Sequence, residues 1–213
     1  MKYGVLGTGM VGQAVATKLV ALGHDVMMGS RSKDHKDADA WLKQVKGKGK
    51  AGIFAEAAHF GDVLANCTQG AFTLDVLRAL DRKDFAGKIL IDIANPLDMS
   101  QQPPTLTICN TDSLGESIQR EFPETKVVKA LNTVNCQVMV DPKLVPGDHD
   151  LFICGNDAGA KASVTQLLRD FGWKSIIDMG DITNARATEQ LLPIWIRLFV
   201  MFGTPIFNFK IVR

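Results

Sequence analysis

A glycine-rich turn near the N-terminus constrains this chain more than any other feature. Gly7-Thr8-Gly9-Met10-Val11-Gly12 is a GxGxxG pattern that follows a predicted strand and opens a predicted helix. The first glycine lets the chain turn tightly, the second lets the backbone approach a pyrophosphate, and the third lets the helix pack close to the sheet. The helix N-terminus adds free N–H groups and a partial positive charge. The turn therefore predicts a dinucleotide-binding Rossmann domain.

Strand-like and helix-like segments alternate along the whole chain, which predicts a doubly wound, mostly parallel α/β sheet. The predicted strands are Lys2–Leu6, Asp25–Gly29, Ala51–Phe54, Asp62–Thr68, Lys88–Ala94, Lys126–Leu131, Asp150–Cys154 and Ser175–Met179. The predicted helices are Val11–Leu22, Asp34–Lys46, Ala55–Phe60, Phe72–Leu80, Ser113–Phe122, Ala158–Phe171 and Ala185–Met201. Lys46–Lys50, with its two glycines, is predicted to be a flexible loop.

The chain is long enough for one α/β core with a small addition. We expect a Rossmann domain over residues 1–140 and a C-terminal α/β extension over 141–213 that packs on it and ends in an apolar helix. The segment Asp141–Gly147 is the linker candidate, although the two parts can equally form one continuous domain.

Charge and apolar content argue against nucleic acid and membrane as partners. The 24 Lys and Arg residues balance 23 Asp and Glu, so no global field attracts a polyanion. The longest apolar stretch, Leu191–Phe202, is interrupted by Pro193 and Arg197 and is too short to span a bilayer. No export signal precedes the first predicted strand, which leads us to expect a cytoplasmic protein.

The four cysteines predict no metal site. Cys67, Cys109, Cys136 and Cys154 are widely separated and form no CxxC pair. This spacing argues against a structural zinc site and against a redox dithiol. Reduced, mostly buried thiols are expected instead.

The end of the second predicted strand favours NADP(H) over NAD(H). Rossmann domains that prefer NAD place an acidic residue there to bind the ribose 2′-hydroxyl, whereas this chain has Ser30 and Arg31. A hydroxyl and a guanidinium can donate hydrogen bonds to a 2′-phosphate. Lys33, His35 and Lys36 can add charge, but a lysine-rich helix start is more often a solvated face.

Polar residues follow three further predicted strands, where ligands of open α/β sheets bind. We expect Cys67 with Thr68, and Asn95 with Pro96, to contact the nicotinamide carboxamide and ribose. Asn132, Thr133 and Cys136 are expected to contact the substrate, a small-molecule redox acceptor. Each of these can also be an ordinary turn residue.

No side chain is predicted to act as a catalytic acid or base. His24, His59 and His149 occupy predicted surface positions, and Tyr3, the single tyrosine, lies in the first strand. Hydride transfer between two ring cofactors needs mainly positioning and solvent exclusion, which such a site can provide.

The predicted helix around Gln190–Phe202 is apolar on nearly all sides and must be buried against something. Docking onto the end of the sheet and a two-fold homodimer contact are equally consistent with this pattern. Its aromatic and methionine side chains can also wall an apolar acceptor pocket, and Pro193 is expected in its first turns.

Several segments resemble the deazaflavin (coenzyme F420)-dependent NADP reductase family, and the resemblance spans nearly the whole chain. The chain also looks like the NADPH-binding domain of transmembrane metalloreductases. The segments are Gly7–Gly12, Gly29–Arg31, Lys129–Thr133, Val140–Pro142, Cys154–Asn156, Asp178–Gly180 and Ala185–Arg186. The resemblance implies an NADP-binding Rossmann fold in which Thr8, Ser30 and Arg31 bind the 2′-phosphate.

The resemblance leaves the acceptor open. Archaeal deazaflavin-using members carry a histidine where this chain has Asn132, and the metalloreductase-like proteins, which pass electrons through a flavin, have asparagine there. The leading hypothesis is an oxidoreductase that transfers a hydride between NADP(H) and a flavin-like or deazaflavin acceptor. The alternatives are a non-catalytic NADP(H)-sensing module and a dehydrogenase of a small carbonyl or imine substrate.

Overall fold

A computed structural model describes residues 1–45, 47 and 49–213 of the chain. Lys46 and Lys48, in the predicted loop Lys46–Lys50, lie outside the described residues. The strands are β1 (Lys2–Leu6), β2 (Asp25–Ser30), β3 (Gly49–Ile53), β4 (Val63–Asn66), β5 (Ile89–Asp92), β6 (Leu97–Asp98), β7 (Thr105–Leu106), β8 (Lys126–Ala130), β9 (Asp150–Gly155) and β10 (Ser175–Asp178). Eight of them form the main sheet, in the order β10-β9-β8-β5-β4-β1-β2-β3, and β6 and β7 form a separate hairpin.

The main sheet is mostly parallel, as predicted, but it changes direction once. Strands β3, β2, β1, β4, β5 and β8 form a parallel series. Strand β9 pairs antiparallel with β8, and β10 pairs parallel with β9, so the last two strands run against the others. The C-terminal extension is thus hydrogen-bonded into the same sheet as the Rossmann half.

Helices cover both faces of the sheet. They are α1 (Met10–Ala21), α2 (Lys36–Gln44), α3 (Phe54–Phe60), α4 (Thr73–Arg78), α5 (Leu114–Glu121), α6 (Cys136–Val140), α7 (Ala158–Phe171), α8 (Ala185–Gln190) and α9 (Leu192–Phe202). One core cluster joins the sheet to α1, α2, α6 and α7, and a second joins it to α3, α4, α5 and α8. Buried apolar runs in the central strands suit this double cover.

Local signals explain where the helices begin and end. Helix α1 ends at Ala21, and Gly23 follows with a φ of 85°, which suits a glycine just after a helix C-terminus. The Asp157 side chain caps α7 by accepting from the Ala160 N–H at 2.7 Å, and Gly172 ends α7 with a φ of 114°. These are ordinary capping residues at the expected positions.

Several predicted boundaries are wrong. Strand β3 is Gly49–Ile53 rather than Ala51–Phe54, because its first two residues pair with β2 and Phe54 begins α3. The long helix predicted over Ala185–Met201 is two helices that meet at Leu191, with Pro193 in the first turn of α9. Helix α6 and the hairpin of β6 and β7 were not predicted from the sequence pattern.

Helix α9 is less buried than its apolar sequence predicts. Leu192 is buried, whereas Ile194, Phe199, Val200, Met201 and Phe202 are 39–72% exposed. Trp195 packs against Phe207 of the C-terminal segment, with ring centroids 5.4 Å apart. Docking within the chain therefore covers one side of this helix and leaves the other side open. None of the described helices is long and apolar enough to cross a bilayer.

Candidate functional site

The three glycines of the turn meet different surroundings. A Cβ on Gly7 would lie 2.5 Å from the Cys67 carbonyl oxygen, and Gly7 has a φ of 130°. A Cβ on Gly12 would overlap the Gly7 carbonyl oxygen. A Cβ on Gly9, by contrast, would have no atom within 4 Å. Gly7 and Gly12 are thus required by packing, whereas Gly9 borders open space.

The N-terminus of α1 is available for an anion. Gly9 is the N-cap residue, no side chain caps the helix, and no acidic residue lies in its first turn. The Gly7 N–H donates to the Gly29 carbonyl at 3.0 Å, which ties the turn to the end of β2. Ser30 and Arg31 therefore lie beside the glycine turn, at the end of the neighbouring strand β2.

Ser30 and Arg31 differ in their freedom to bind a ligand. Ser30 is 2% exposed, and its hydroxyl lies within hydrogen-bonding distance of the Ser32 and Gly52 carbonyl oxygens. Arg31 is exposed and forms no ion pair with any described residue. Lys33 pairs with Glu56 at 3.2 Å. Of the two cations Arg31 and Lys33, Arg31 is the one without an ion-pair partner among the described residues, while the Ser30 hydroxyl is engaged by carbonyl groups of neighbouring backbone.

A cavity of about 710 Å³ opens beside the glycine turn, at the C-terminal ends of β4, β5 and β8. It contains eight of the predicted site residues: Met10, Val11, Cys67, Thr68, Asn95, Asn132, Thr133 and Cys136. Leu192 and Trp195 of α9 form its far wall, in agreement with the predicted apolar wall. Pro96 does not line the cavity, and its carbonyl accepts hydrogen bonds from Thr107.

Sequence reasoning missed several lining residues. Ala71, Phe72 and Met99 are lining residues from a short 3₁₀ helix and a loop. Met10, Phe72 and Met99 are 80%, 58% and 62% exposed, so large apolar side chains stand around the cavity. Exposed apolar clusters of this kind commonly mark binding sites. For Phe72, the available signal was its position shortly after the predicted fourth strand; no comparable signal marked Met99.

Asn95 and Asn132, which follow β5 and β8, are joined by two hydrogen bonds. The Asn132 amide group donates to Asn95 Oδ1 at 3.0 Å, and the Asn95 amide group donates to the Asn132 carbonyl at 2.8 Å. Asn132 is 3% exposed, and its Oδ1 is buried without a hydrogen-bond partner among the described residues. Leu131, with a φ of 65°, turns the chain sharply before it. A buried, unmatched oxygen at a cavity wall is suited to accept from a ligand N–H.

A buried polar network continues beneath the cavity floor. The Thr68 hydroxyl donates to Asn66 Oδ1 at 2.7 Å, and the Asn66 amide donates to Asp92 Oδ1 at 2.8 Å. The Lys129 ammonium lies 2.8 Å from both Asp92 Oδ2 and Glu189 Oε1. Charged residues within the apolar strands β5 and β8 were the sequence signal for this network, which the strand-end rule did not use.

Lys129 is fully buried but remains charged. Burial opposes the ammonium form, and the carboxylates of Asp92 and Glu189 outweigh burial and raise the pKa of Lys129 above its usual value. Glu189 also accepts from the Leu114 and Gly115 N–H groups, at 2.9 and 3.1 Å, at the start of α5. The network thus connects Thr68, which lines the cavity, to α8, the helix that precedes α9.

The cavity offers little acid–base or nucleophilic chemistry. Burial raises the pKa of Cys67 and of Cys136, so both thiols are protonated near neutral pH. Among the described lining residues, Asp98 is the charged one, and hydrogen bonds from Ser100 lower its pKa. The described residues contain no cluster suited to a metal ion.

Comparisons with known proteins agree with this geometry. A family model described as NADP oxidoreductase, coenzyme F420-dependent, matches residues 2–96. The F420-dependent NADP reductase of Methanocaldococcus jannaschii is 30% identical over 95% of this chain and 94% of its own length. A solved structure from Arthrobacter sp. FB24, provisionally named an F420-dependent NADP reductase, has 50% identity and a TM-score of 0.95, and both chains are fully covered.

More distant relatives extend the comparison. The metalloreductase STEAP3 of Rattus norvegicus is 28% identical over 91% of this chain, which spans 38% of that protein. A reductive aminase from Aspergillus terreus, solved with NADPH and ethyl-5-oxohexanoate, is 18% identical and has a TM-score of 0.66 over 95% of this chain and 62% of that one. The aminase shares the fold alone.

The fold and the glycine turn, together with these relatives, define an oxidoreductase of the Rossmann type that binds NADP(H). Within that class the chain belongs to the F420-dependent NADP reductase family, with 30% identity to the Methanocaldococcus enzyme over nearly the full length of both.

Proposed function

We propose that this enzyme transfers a hydride between NADP(H) and a deazaflavin or flavin ring that lies over the nicotinamide. The observation that carries the proposal is the cavity between the strand ends and α9, lined by apolar side chains and amides. Such a cavity can hold two planar rings face to face and exclude water. Positioning and solvent exclusion are the main requirements of this reaction.

The described residues fit the cofactor. The uncapped N-terminus of α1 and the open space at Gly9 suit the pyrophosphate, close to Thr8, Met10 and Val11. The exposed Arg31 side chain, which has no ion-pair partner among the described residues, supports its assignment to the 2′-phosphate, and the Ser30 hydroxyl stabilises the turn that carries it. Thr68, Asn95 and Asn132 line the part of the cavity next to this turn, where carboxamide and ribose would lie.

The hydride transfer needs no nucleophile from the protein. NADPH supplies a hydride as its C4–H bond breaks, and the acceptor ring gains that hydride at C5 of a deazaflavin or N5 of a flavin. One proton from solvent completes the reduced ring. Within this scheme, Asn132 and Thr133 orient the rings, while Cys136 and α9 limit access of water.

A steady-state assay with NADPH tests the proposal. Coenzyme F420 is the first acceptor to try, because relatives from Methanocaldococcus and Methanothermobacter carry it in their names. Riboflavin, FMN and a quinone complete the panel. We expect NADPH oxidation with a deazaflavin or flavin. If NADPH binds tightly but is oxidised with none of these acceptors, the protein is a sensing module rather than a reductase.

We also propose a two-fold homodimer, which the open side of α9 supports. Five large apolar side chains of this helix are exposed, and a second apolar cavity of about 760 Å³, lined by Phe152, Ile177 and Leu191 among others, lies nearby on β9, β10 and α8. A monomer seldom exposes so large an apolar face. Light scattering should therefore give twice the chain mass, and Val200→Glu, at a site 72% exposed, should give the mass of one chain. A monomeric wild type contradicts this proposal.

A reducing compartment such as the cytoplasm suits the thiols. All four cysteines are free, and Cys109 is exposed. Disulfides are rare in the cytosol. Fractionation of the source cells tests this expectation, and recovery with exported proteins would contradict it.

A further inference from the structure

The three tryptophans differ in how their indole N–H groups are used. Trp41 donates to the Thr17 hydroxyl at 3.0 Å, and Trp173 donates to the Met139 carbonyl at 3.0 Å. The Nε1 of Trp195 is buried as well, but it has no hydrogen-bond partner among the described residues. Leaving a buried donor unpaired carries a desolvation cost that a hydrogen bond to a ligand would offset. Such a donor is well placed to meet a ligand.

The Trp195 ring is held in a fixed orientation at the cavity wall. It stacks on Phe199 and Phe207, with ring centroids 5.6 and 5.4 Å away and interplanar angles of 29° and 23°. Trp195 lines the same cavity as the strand-end residues, although it comes from α9. The aromatic stack therefore positions its N–H in advance of binding, which lowers the entropic cost of a hydrogen bond.

A second unpaired polar atom lines the same cavity. Asn132 Oδ1 is buried without a partner among the described residues, and its amide is held by Asn95. Two residues that line the cavity, Trp195 on α9 and Asn132 after β8, thus carry one donor and one acceptor without a partner among the described residues. A ligand that carries both a ring carbonyl and an N–H matches this pair. The pyrimidinedione ring of flavins and deazaflavins carries both groups.

We propose that Trp195 is a specificity-determining residue of the acceptor site, whose indole N–H donates a hydrogen bond to a pyrimidinedione carbonyl of the acceptor. The proposal rests on the proposed function, because it requires that the ring acceptor occupies this cavity. It assigns to α9 a polar role that its apolar sequence does not suggest. It also explains why one of three buried indole N–H groups lacks a partner among the described residues.

Thio-substituted ligands separate this hydrogen bond from stacking. Binding of riboflavin, 2-thioriboflavin and 4-thioriboflavin is measured by equilibrium dialysis with NADP⁺-saturated protein. Sulfur accepts hydrogen bonds more weakly than oxygen, so one thio analogue should bind wild type about ten-fold more weakly than riboflavin. We call the weaker binding of a thio analogue relative to riboflavin the thio penalty. Trp195→Phe keeps an aromatic ring but lacks the N–H, so it should bind riboflavin about ten-fold more weakly than wild type does. In this variant the thio penalty should disappear.

Phe199→Leu is the matched control, since it removes a stacking partner and keeps the indole N–H. It should weaken all three ligands by a similar factor and preserve the thio penalty. The infrared stretch of a labelled ring carbonyl gives a second readout. It should lie at lower frequency in the wild-type complex than in Trp195→Phe, because hydrogen bonding weakens the C=O bond.

The outcomes distinguish this inference from the proposed function. If wild type reduces a flavin or deazaflavin with NADPH but Trp195→Phe keeps the thio penalty and the carbonyl frequency, the role of Trp195 is wrong and the function stands. If wild type neither binds nor reduces any of these rings, the proposed function fails and the inference fails with it. Unchanged NADP⁺ affinity and thermal unfolding in Trp195→Phe confirm that the variant is folded.

Discussion

The three glycines of the turn differ in whether the protein leaves room for a Cβ atom. Gly7 and Gly12 have protein backbone where a Cβ would stand, and Gly9 has open space there. The GxGxxG pattern therefore includes two glycines that packing requires, Gly7 and Gly12, and a third, Gly9, that borders open space. Residue-scale experiments can separate these roles.

Gly9→Ala and Gly12→Ala form a matched pair of variants. The methyl group added in Gly9→Ala would enter the space beside the helix N-terminus, so NADPH affinity should fall at least about ten-fold while the free energy of unfolding stays within about 1 kcal/mol of wild type. The methyl group added in Gly12→Ala would collide with the Gly7 carbonyl, which should cost about 1–3 kcal/mol of stability. Calorimetry and urea unfolding measure the two effects. Equal stability loss in both variants would contradict the division of roles.

Arg31→Ala tests the 2′-phosphate assignment. NADPH binding should weaken by about 1.5–3 kcal/mol, the range for a hydrogen bond to a charged group, while NADH binding changes little. Lys33→Ala is the control, because Lys33 is engaged by Glu56 and should matter less. Isothermal titration with both dinucleotides measures this difference. Equal losses for NADPH and NADH would mean that Arg31 does not face the 2′-phosphate.

At the scale of elements, the Lys129 network fixes α8, and through it α9, to the sheet. Lys129 on β8 joins Asp92 on β5 to Glu189 on α8, and Glu189 also binds the first N–H groups of α5. Three elements thus meet at one buried ammonium, and α5 joins them through Glu189. Since Leu192 and Trp195 follow Glu189 closely in the chain, this junction also positions the cavity wall.

Lys129→Met should destabilise the protein strongly, by about 3–5 kcal/mol, because it leaves two buried carboxylates without their cation. Glu189→Gln should cost less, about 1.5–3 kcal/mol, because the Lys129–Asp92 pair survives and one amide oxygen can still accept from α5. Urea unfolding of the two variants shows which of them loses more stability. A smaller loss for Lys129→Met than for Glu189→Gln would contradict this account of the junction.

Sequence patterns predicted the elements better than their directions and junctions. Alternating strand and helix segments identified all eight strands of the main sheet, since each is a short apolar run with turn residues around it. An apolar run carries no direction, which is why the antiparallel pairing of β9 with β8 could not be read from it. The break at Leu191 lies two residues before Pro193, which has no N–H to continue the hydrogen bonds of α8; the prediction over Ala185–Met201 placed this proline inside one long helix rather than at a break.

The candidate site was predictable to a similar extent. The rule that ligands bind at strand ends identified Thr68, Asn95 and Asn132, which line one cavity. Whether a hydroxyl or an indole N–H has a partner depends on residues far away in sequence. The internal hydrogen bonds of Ser30 and the unpaired N–H of Trp195 therefore required the structure.

At the scale of the whole molecule, the boundary predicted between residues 140 and 141 crosses a continuous sheet. Strand β8 pairs with β5 on one side and with β9 on the other, and Glu189 of the extension pairs with Lys129 of the first part. We propose that residues 1–140 and 141–213 unfold together. Hydrogen exchange in rising denaturant should show amides of β5 and β9 opening with the same free energy. Earlier loss of protection in β9 and β10 would indicate two separate units.

Alkaline pH should destabilise the whole molecule through its buried thiols. Burial raises the pKa of Cys154 to about 12 and also raises that of Cys67. An unfolded thiol ionises near about 8.5. Because the folded pKa is the higher one, this stabilisation is complete below about pH 8.5 and is lost as pH rises toward the folded value, by about 1.4 kcal/mol per pH unit for each thiol.

Cys154→Ala should therefore show a shallower decline of unfolding free energy between about pH 9 and 11 than wild type, by about 1.4 kcal/mol per pH unit. The substitution removes some packing contacts and so lowers the free energy of unfolding at every pH. The comparison therefore uses the slope of the unfolding free energy against pH, not its absolute value. Cys109→Ala is the control, because Cys109 is exposed and its loss should leave the slope unchanged. Denaturant unfolding across this pH range supplies the slopes. Parallel curves for wild type and Cys154→Ala would mean that the thiol is accessible to solvent in the folded protein.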